Sequence, residues 1–356
     1  MTLDNRIEVF SVLGKFLKQI ETGERKSDHH DLNELFYNDL NELMEQVPVY
    51  NPWFTNQNIK KAIAAIAENL DNNSLQTFLA PHRNNLSENK EPKRIAVIMA
   101  GNIPLVGFHD FLCVLLSGNR FVGKLSSDDS YLLPFLAKII IKIEPGFSEY
   151  IEFTEGPLKN MQAVIATGSN NTARYFDYYF SKYPAIIRKN RNSVAVLTGK
   201  ESKNELTRLG EDIFQYFGLG CRNVSKLFVP NGYTFDVFYE SILPFQDIIN
   251  MNKYANNYDY NRTVYLMSSE PNLFDNNFLL LKESQQYASP IGVLFYEFYD
   301  DVKLLNERLE KDSDQIQCIV ASDAAIKHAL PFGQAQCPAL NEYADGVDTM
   351  KFLSTL

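Results

Sequence analysis

The chain has 356 residues, 45% of them hydrophobic and 13% aromatic, with a formal net charge of −10. That length suggests about two domains, and the aromatic content excludes a disordered chain. The acidic balance, without any lysine- or arginine-rich run, excludes a protein that tracks nucleic-acid phosphates. In chain order, residues 1–92 read as a helical segment. Ile7, Phe10, Leu13, Leu17 and Ile20 recur at spacings of three and four and define one helix face, and residues 31–44 and 58–70 show similar periods. Residues 81–92 are polar and read as a linker.

From residue 93 the rhythm changes. Residues 94–99 are a compact apolar run, expected as a buried strand, and 108–117 have the length of a buried helix. Residues 120–125 return as a strand and 128–143 as a helix, with Pro134 an obstacle near its start. Residues 162–166, 170–182 and 193–197 continue as strand, helix and strand. This alternation predicts an α/β fold with a parallel sheet covered on both faces. Residues 204–217 form an amphipathic helix ended by Gly218-Leu219-Gly220, and 226–229 a strand stopped by Pro230. A second alternating unit runs to Ile319, and the tail from Pro331 ends in a short amphipathic piece.

Neither a basic-then-apolar leader nor a run of about 20 apolar residues is expected in this chain, so no membrane span is anticipated. The four cysteines, Cys113, Cys221, Cys318 and Cys337, are far apart in sequence. No metal or redox pair of the CxxC kind is expected, and reduced thiols in the cytoplasm are the simplest reading. His29-His30 lacks companion ligands at metal spacing, so no metal site is anticipated.

Three local features can carry chemistry. Gly218-Leu219-Gly220-Cys221-Arg222-Asn223 places a thiol after backbone that can approach a ligand, beside a cation that favours thiolate; a buried cysteine at a helix end is the alternative. Gly101-Asn102-Ile103-Pro104, between strand and helix, aims an amide donor from a sheet edge, unless Asn102 only bonds its own turn. Thr167-Gly168-Ser169 precedes a helix whose N-terminus could hold a phosphate, or it is an N-cap and nothing more.

The order of these features identifies a resemblance. The stretches 101–127, 166–176, 188–197, 217–230, 288–298 and 331–353 resemble, in sequence order, the aldehyde dehydrogenase superfamily, and within it the LuxC-type acyl-CoA (fatty acyl) reductases. The resemblance implies an aldehyde-dehydrogenase-like α/β fold. It has a helical N-terminal segment (1–92), a doubly wound nicotinamide-cofactor domain (93–200), an α/β catalytic domain (201–330) and a C-terminal segment (331–356). Cys221 matches the catalytic cysteine. Asn102 matches the asparagine that, with the cysteine's own backbone N–H, forms the oxyanion hole. Lys124 matches a lysine at the adenosine ribose, and Thr167, Gly168 and Ser169 the segment over the cofactor phosphates. Ser127 stands where NAD-preferring relatives often carry a glutamate. A serine does not repel a 2′-phosphate, which favours NADPH over NADH.

Two departures bear on the reaction. The hydrolytic glutamate that opens the motif matched by 188–193 is missing, and the acidic pair expected before 289–293 to help hold a ribose is not evident, with Gln285 and Gln286 nearby. The first departure fits a reductase, since a water-activating base would drain the acyl-enzyme to acid. The expected substrate is an acyl-CoA or acyl-protein thioester and the product an aldehyde. An acyl-phosphate reductase and a non-redox acyl carrier or transferase subunit are the alternatives. A homo-oligomer is compatible with the resemblance. Of the remaining groups, Cys113 and Cys318 read as core and Cys337 as a loop thiol. His109-Asp110 reads as a helix start with a first-turn aspartate favouring the helix dipole, an acid–base pair being the alternative, and Arg188, Lys189 and Arg191 as a solvated loop or a phosphate contact. Residues 345–349 read as a turn and helix cap.

Overall fold

A computed structural model describes residues 1–26, 30–86 and 91–356; His29 and residues 87–90 of the expected linker lie outside them. The chain divides into two compact units, 1–189 with 339–356, and 190–338. Among the described residues no helix is long and apolar enough to cross a membrane.

The first unit opens with α1 (Leu3–Thr22), whose N-terminus is capped by the Thr2 side chain and whose end is Gly23 with φ +73°. Its five expected face residues are all buried. A short α2 (His30–Leu32) passes through a π-helical turn (Asn33–Tyr37) into α3 (Asn38–Tyr50), followed by α4 (Asn56–Asn69) and α5 (Asn72–Leu79). The first half of the expected linker is a 3-10 helix, Ala80–Asn85. Then come β1 (Arg94–Ile98), α6 (Phe108–Leu116), β2 (Arg120–Lys124), α7 (Leu132–Ile143), β3 (Ile151–Phe153), β4 (Ala163–Thr167), α8 (Asn170–Tyr179) and β5 (Ala185–Arg188). Helix α7 starts four residues later than expected. This places Pro134 in the first turn, where its missing N–H breaks no helical bond. The sheet order is β3-β2-β1-β4-β5, all parallel. The chain winds outward from β1 on one side and then from β4 on the other, the doubly wound pattern, which opens a crevice at the strands' carboxyl ends. Helix α6 is apolar around its circumference because it is enclosed between the sheet and the N-terminal helices.

The second unit contains β6 (Asn192–Val196), α9 (Lys203–Phe214), β7 (Val224–Pro230), α10 (Asp236–Ile242), α11 (Asn252–Met267), β8 (Leu273–Asp275), β9 (Leu280–Glu283), β10 (Val293–Tyr299), α12 (Val302–Lys311), β11 (Ile316–Ala321) and β12 (Ala329–Leu330). Its sheet order is β12-β11-β6-β7-β10-β9-β8, parallel except for the β8–β9 pair. The ladders on both sides of β6 are irregular at one place. Ser193 faces Val224 but Val194 faces Lys226, and Asn192 faces Ile316 but Val194 faces Ile319. Ser193 therefore sits between two bulges, features that locally re-aim side chains. A last helix, α13 (Thr349–Ser354), is capped by Asp348 as expected and packs on α6 in the first unit.

Candidate active site

In the first unit the expected cofactor residues leave one edge of three adjoining strands. Lys124 closes β2 opposite Ile98, the last residue of β1, and Ala166 lies opposite Ile98 on the other side, one residue before Thr167 closes β4. Asn102 lies on the turn after β1. Asn102, Ser127 and Ser169 are exposed, and Lys124, Thr167 and Gly168 are partly so. A Cβ at Gly101 would lie 2.5 Å from Ser126 Oγ, so only glycine lets the turns after β1 and β2 pack together. Leu105 then takes a left-handed φ of 58°, and its N–H donates to Asp129 Oδ2 at 2.7 Å. Asp129 is buried, and burial pushes its carboxyl up to about 6 against the opposing effect of that bond. Ser169 caps α8 by accepting the Thr172 N–H. A Cβ at Gly168 would come within 3.0 Å of Phe176 and Thr172, so the backbone lies close over the helix start. A lysine, an exposed serine and a helix N-terminus behind a glycine fit a phosphate-bearing nicotinamide cofactor.

Arg188 departs from both sequence readings. It is buried, is ion-paired with buried Asp110, and donates through Nη2 to Thr349 Oγ1 at 2.9 Å. It is neither solvated nor presented to a phosphate, and Asp110, in the first turn of α6 as expected, is its counter-ion. Lys189 is exposed, and Arg191 donates to the Ser313 carbonyl at 3.2 Å. Cys113 is core, as expected, with its sulfur 3.7 Å from His109 Nδ1. Burial pushes the Cys113 thiol well up and the His109 imidazole down, so this pair is held neutral.

In the second unit Cys221 is exposed. Helix α9 ends at Phe214, and the chain turns through left-handed Tyr216 (φ 53°), Phe217 (φ 58°) and Gly218 (φ 77°). The turn thus begins on aromatic residues, before the glycines that signal it in the sequence. Left-handed non-glycine residues persist only where their surroundings hold them; here buried Asn223 bonds the backbone that flanks them, and buried Ser193 holds the chain at Cys221. Ser193 Oγ donates to the Cys221 carbonyl at 3.0 Å and accepts the Cys318 N–H at 3.2 Å. Asn223 bonds the backbone on both sides of the turn. Arg222 donates through Nε to the Ala335 carbonyl. Its charge also lies near Asp212, a buried carboxylate that accepts from the N–H groups of Gly333 and Ala335. Part of the expected electropositive setting is therefore taken up by Asp212. Cys318 is in its expected strand but only half-buried, with its sulfur 3.0 Å from Ser193 Oγ, and Cys337 is exposed in its loop. Sequence reasoning missed Asp129, Ser193 and Asn223. Only Asn223 left a trace, as the residue two places after the cysteine.

The fold resembles that of solved aldehyde dehydrogenases. The succinate complex of aldehyde dehydrogenase 21 from Physcomitrella patens matches at 13% identity and a TM-score of 0.64, over 100% of this chain and 84% of that one. An NAD-dependent aldehyde dehydrogenase from Sinorhizobium meliloti matches at 13% identity and a TM-score of 0.64, over 92% of this chain and 73% of that one. The NAD+ complex of aldehyde dehydrogenase from Bacillus cereus matches at 12% identity and a TM-score of 0.60, over 91% and 73%. At these identities the likeness establishes the fold. A comparison with curated protein sequences finds no match. The sequence pattern of the LuxC acyl-CoA reductases matches residues 4–238, about two thirds of the chain and including both Asn102 and Cys221, and the chain belongs to that family.

Proposed function

We propose that this protein reduces an acyl thioester to an aldehyde, with Cys221 as nucleophile. The observation that carries the reading is the Cys221 turn: an exposed thiol three residues after a left-handed stretch, in a turn clamped by buried side chains, in a chain of the acyl-CoA reductase family. The Cys221 thiolate attacks the thioester carbonyl, the bond to the coenzyme A sulfur breaks, and coenzyme A leaves as a thiolate. One sulfur replaces another at the same carbonyl and the leaving group departs as a thiolate, so the exchange needs little proton transfer. The Cys221 N–H and, by the family pattern, the Asn102 amide hold the developing oxyanion. When bound, the reduced nicotinamide supplies hydride to the acyl carbon. The Cys221 thiohemiacetal then releases aldehyde and regenerates the thiolate. Residues 188–193 carry no carboxylate, and Arg188 at their head is buried in an ion pair, so this segment offers no base for hydrolysis.

Lys124, Ser127, Thr167, Gly168 and Ser169 are the residues we assign to the cofactor. Ser127 favours NADPH, while Asp128, exposed beside it, is the carboxylate that weighs against the 2′-phosphate. The test is aldehyde formation from a panel of acyl-CoAs and an acyl phosphate, with NADPH and with NADH. The expected result is aldehyde from acyl-CoA, faster with NADPH. Acyl-enzyme formed without any consumption of nicotinamide would instead make the protein an acyl carrier.

A further inference from the structure

We propose that Asn223 is a positioning residue for Cys221, its side-chain amide setting the peptide that carries the Cys221 N–H. The inference rests on the nucleophile assignment above. Asn223 is buried, and its Nδ2 donates to the carbonyls of Asp212 (3.0 Å), Ile213 (3.3 Å) and Gln215 (2.7 Å). These carbonyls close α9, where the left-handed turn at Tyr216 removes the N–H groups that a continuing helix would supply. The Oδ1 accepts the Gly220 N–H at 2.8 Å, and the Asn223 backbone N–H donates to the Gly220 carbonyl at 3.1 Å.

One residue therefore grips Gly220 at both polar atoms and the helix end at three. The Gly220 carbonyl and the Cys221 N–H belong to the same planar peptide. Holding the carbonyl aims the N–H the opposite way, toward whatever oxyanion forms on an acyl group at Cys221. An amide of this length is the group that fits. Aspartate would bring oxygens against three carbonyl oxygens, and alanine would leave both ends of the turn unheld.

The experiment counts competent sites and then measures the rate at each. Labelled acyl-CoA, added without nicotinamide, titrates acylatable Cys221, and NADPH then starts a single turnover to aldehyde. In Asn223→Ala the rate per labelled site should fall about 10²-fold, the loss expected when an oxyanion donor is displaced, with the acyl-CoA KM within about threefold of wild type. Asn223→Asp, nearly the same shape, is the second variant and decides the matter if the alanine form does not fold. Its per-site rate should also fall, and its ratio to wild type at the same pH should recover as the pH is lowered and a protonated carboxyl regains one donor. An unchanged per-site rate with fewer labelled sites would reduce Asn223 to a folding residue and overturn the proposal. So would a change confined to KM. Label retained in Cys221→Ser would overturn the nucleophile assignment itself, a separate outcome.

Discussion

The turn that presents Asn102 and the turn that presents Cys221 solve the same problem with opposite chemistry. Each leaves a regular element, carries a polar side chain into solvent, and includes non-glycine residues in left-handed backbone: Leu105 in one, Tyr216 and Phe217 in the other. The Asn102 turn is held from below by a carboxylate, Asp129, through a single N–H bond, with its Oδ1 unpartnered. The Cys221 turn is held by a neutral amide and a hydroxyl, Asn223 and Ser193, through several bonds. A buried carboxylate bears a desolvation penalty when charged, whereas a buried amide or hydroxyl does not titrate. The anchor of the first turn should therefore feel pH in the acidic range and the two anchors of the second should not, the carboxyl near the second turn being Asp212, which burial pushes up to about 6.

The largest expected effect comes from removing what the second turn presents. Cys221→Ser should abolish acyl-enzyme formation from labelled acyl-CoA. Cys113→Ser, Cys318→Ser and Cys337→Ser should retain it, because only Cys221 sits on such a turn. Label on the Cys221→Ser protein would break the comparison at its root. Removing what the first turn presents should matter less. Asn102→Ala should slow kcat by about 10²–10³-fold with substrate binding preserved, and a change in KM alone would make Asn102 only a turn residue.

The two anchors come next. The Asp129 carboxyl is raised to about 6 in the folded chain from an ordinary 3.8, so the folded state retains a proton that the unfolded chain releases. Its stabilising contribution is fully present below about pH 3.8 and is lost as the pH rises through about 6. Asp129→Asn mimics the protonated form. It should match wild type in denaturant midpoint near pH 4 and exceed it at pH 7.5, by at most about 3 kcal/mol. A gap that does not vary with pH would show that Asp129 is charged in the fold. Ser193→Ala should cost the smallest amount, about 1–3 kcal/mol for removing the buried hydroxyl that bonds the Cys221 carbonyl and the Cys318 N–H. The same denaturation series should show that cost unchanged between pH 4 and 7.5, and a cost that tracks pH would erase the contrast between the turns.

Much of the frame was legible before any coordinates. The strands β1, β2, β4, β6, β7 and β11 follow apolar runs, and α1 follows its three-and-four spacing. Strands β3, β5, β8, β9 and β12 have two to four residues, too few to show a period against their surroundings. The π-helical turn at Asn33–Tyr37 left no signal, because it inserts a residue without interrupting the helix. Glycines marked the Cys221 turn but misplaced its start, since the left-handed backbone begins on two aromatic residues. Charge misled at Arg188, which reads as solvated in a row of basic residues but finds its counter-ion 78 residues earlier.

The sequence alone determined the alternation of elements, the family, and the turns on which a thiol and an amide are presented, because apolar periodicity and short glycine-flanked motifs are properties of neighbouring residues. Which polar side chains hold those turns was decided only by the tertiary structure. Asp129 meets Leu105 from 24 residues away, and Ser193 meets Cys221 from 28 and Cys318 from 125. Whether such a group is buried, and whether it carries a charge there, depends on the solvent and partners removed or supplied by distant chain. That is a property of packing, and no local pattern encodes it.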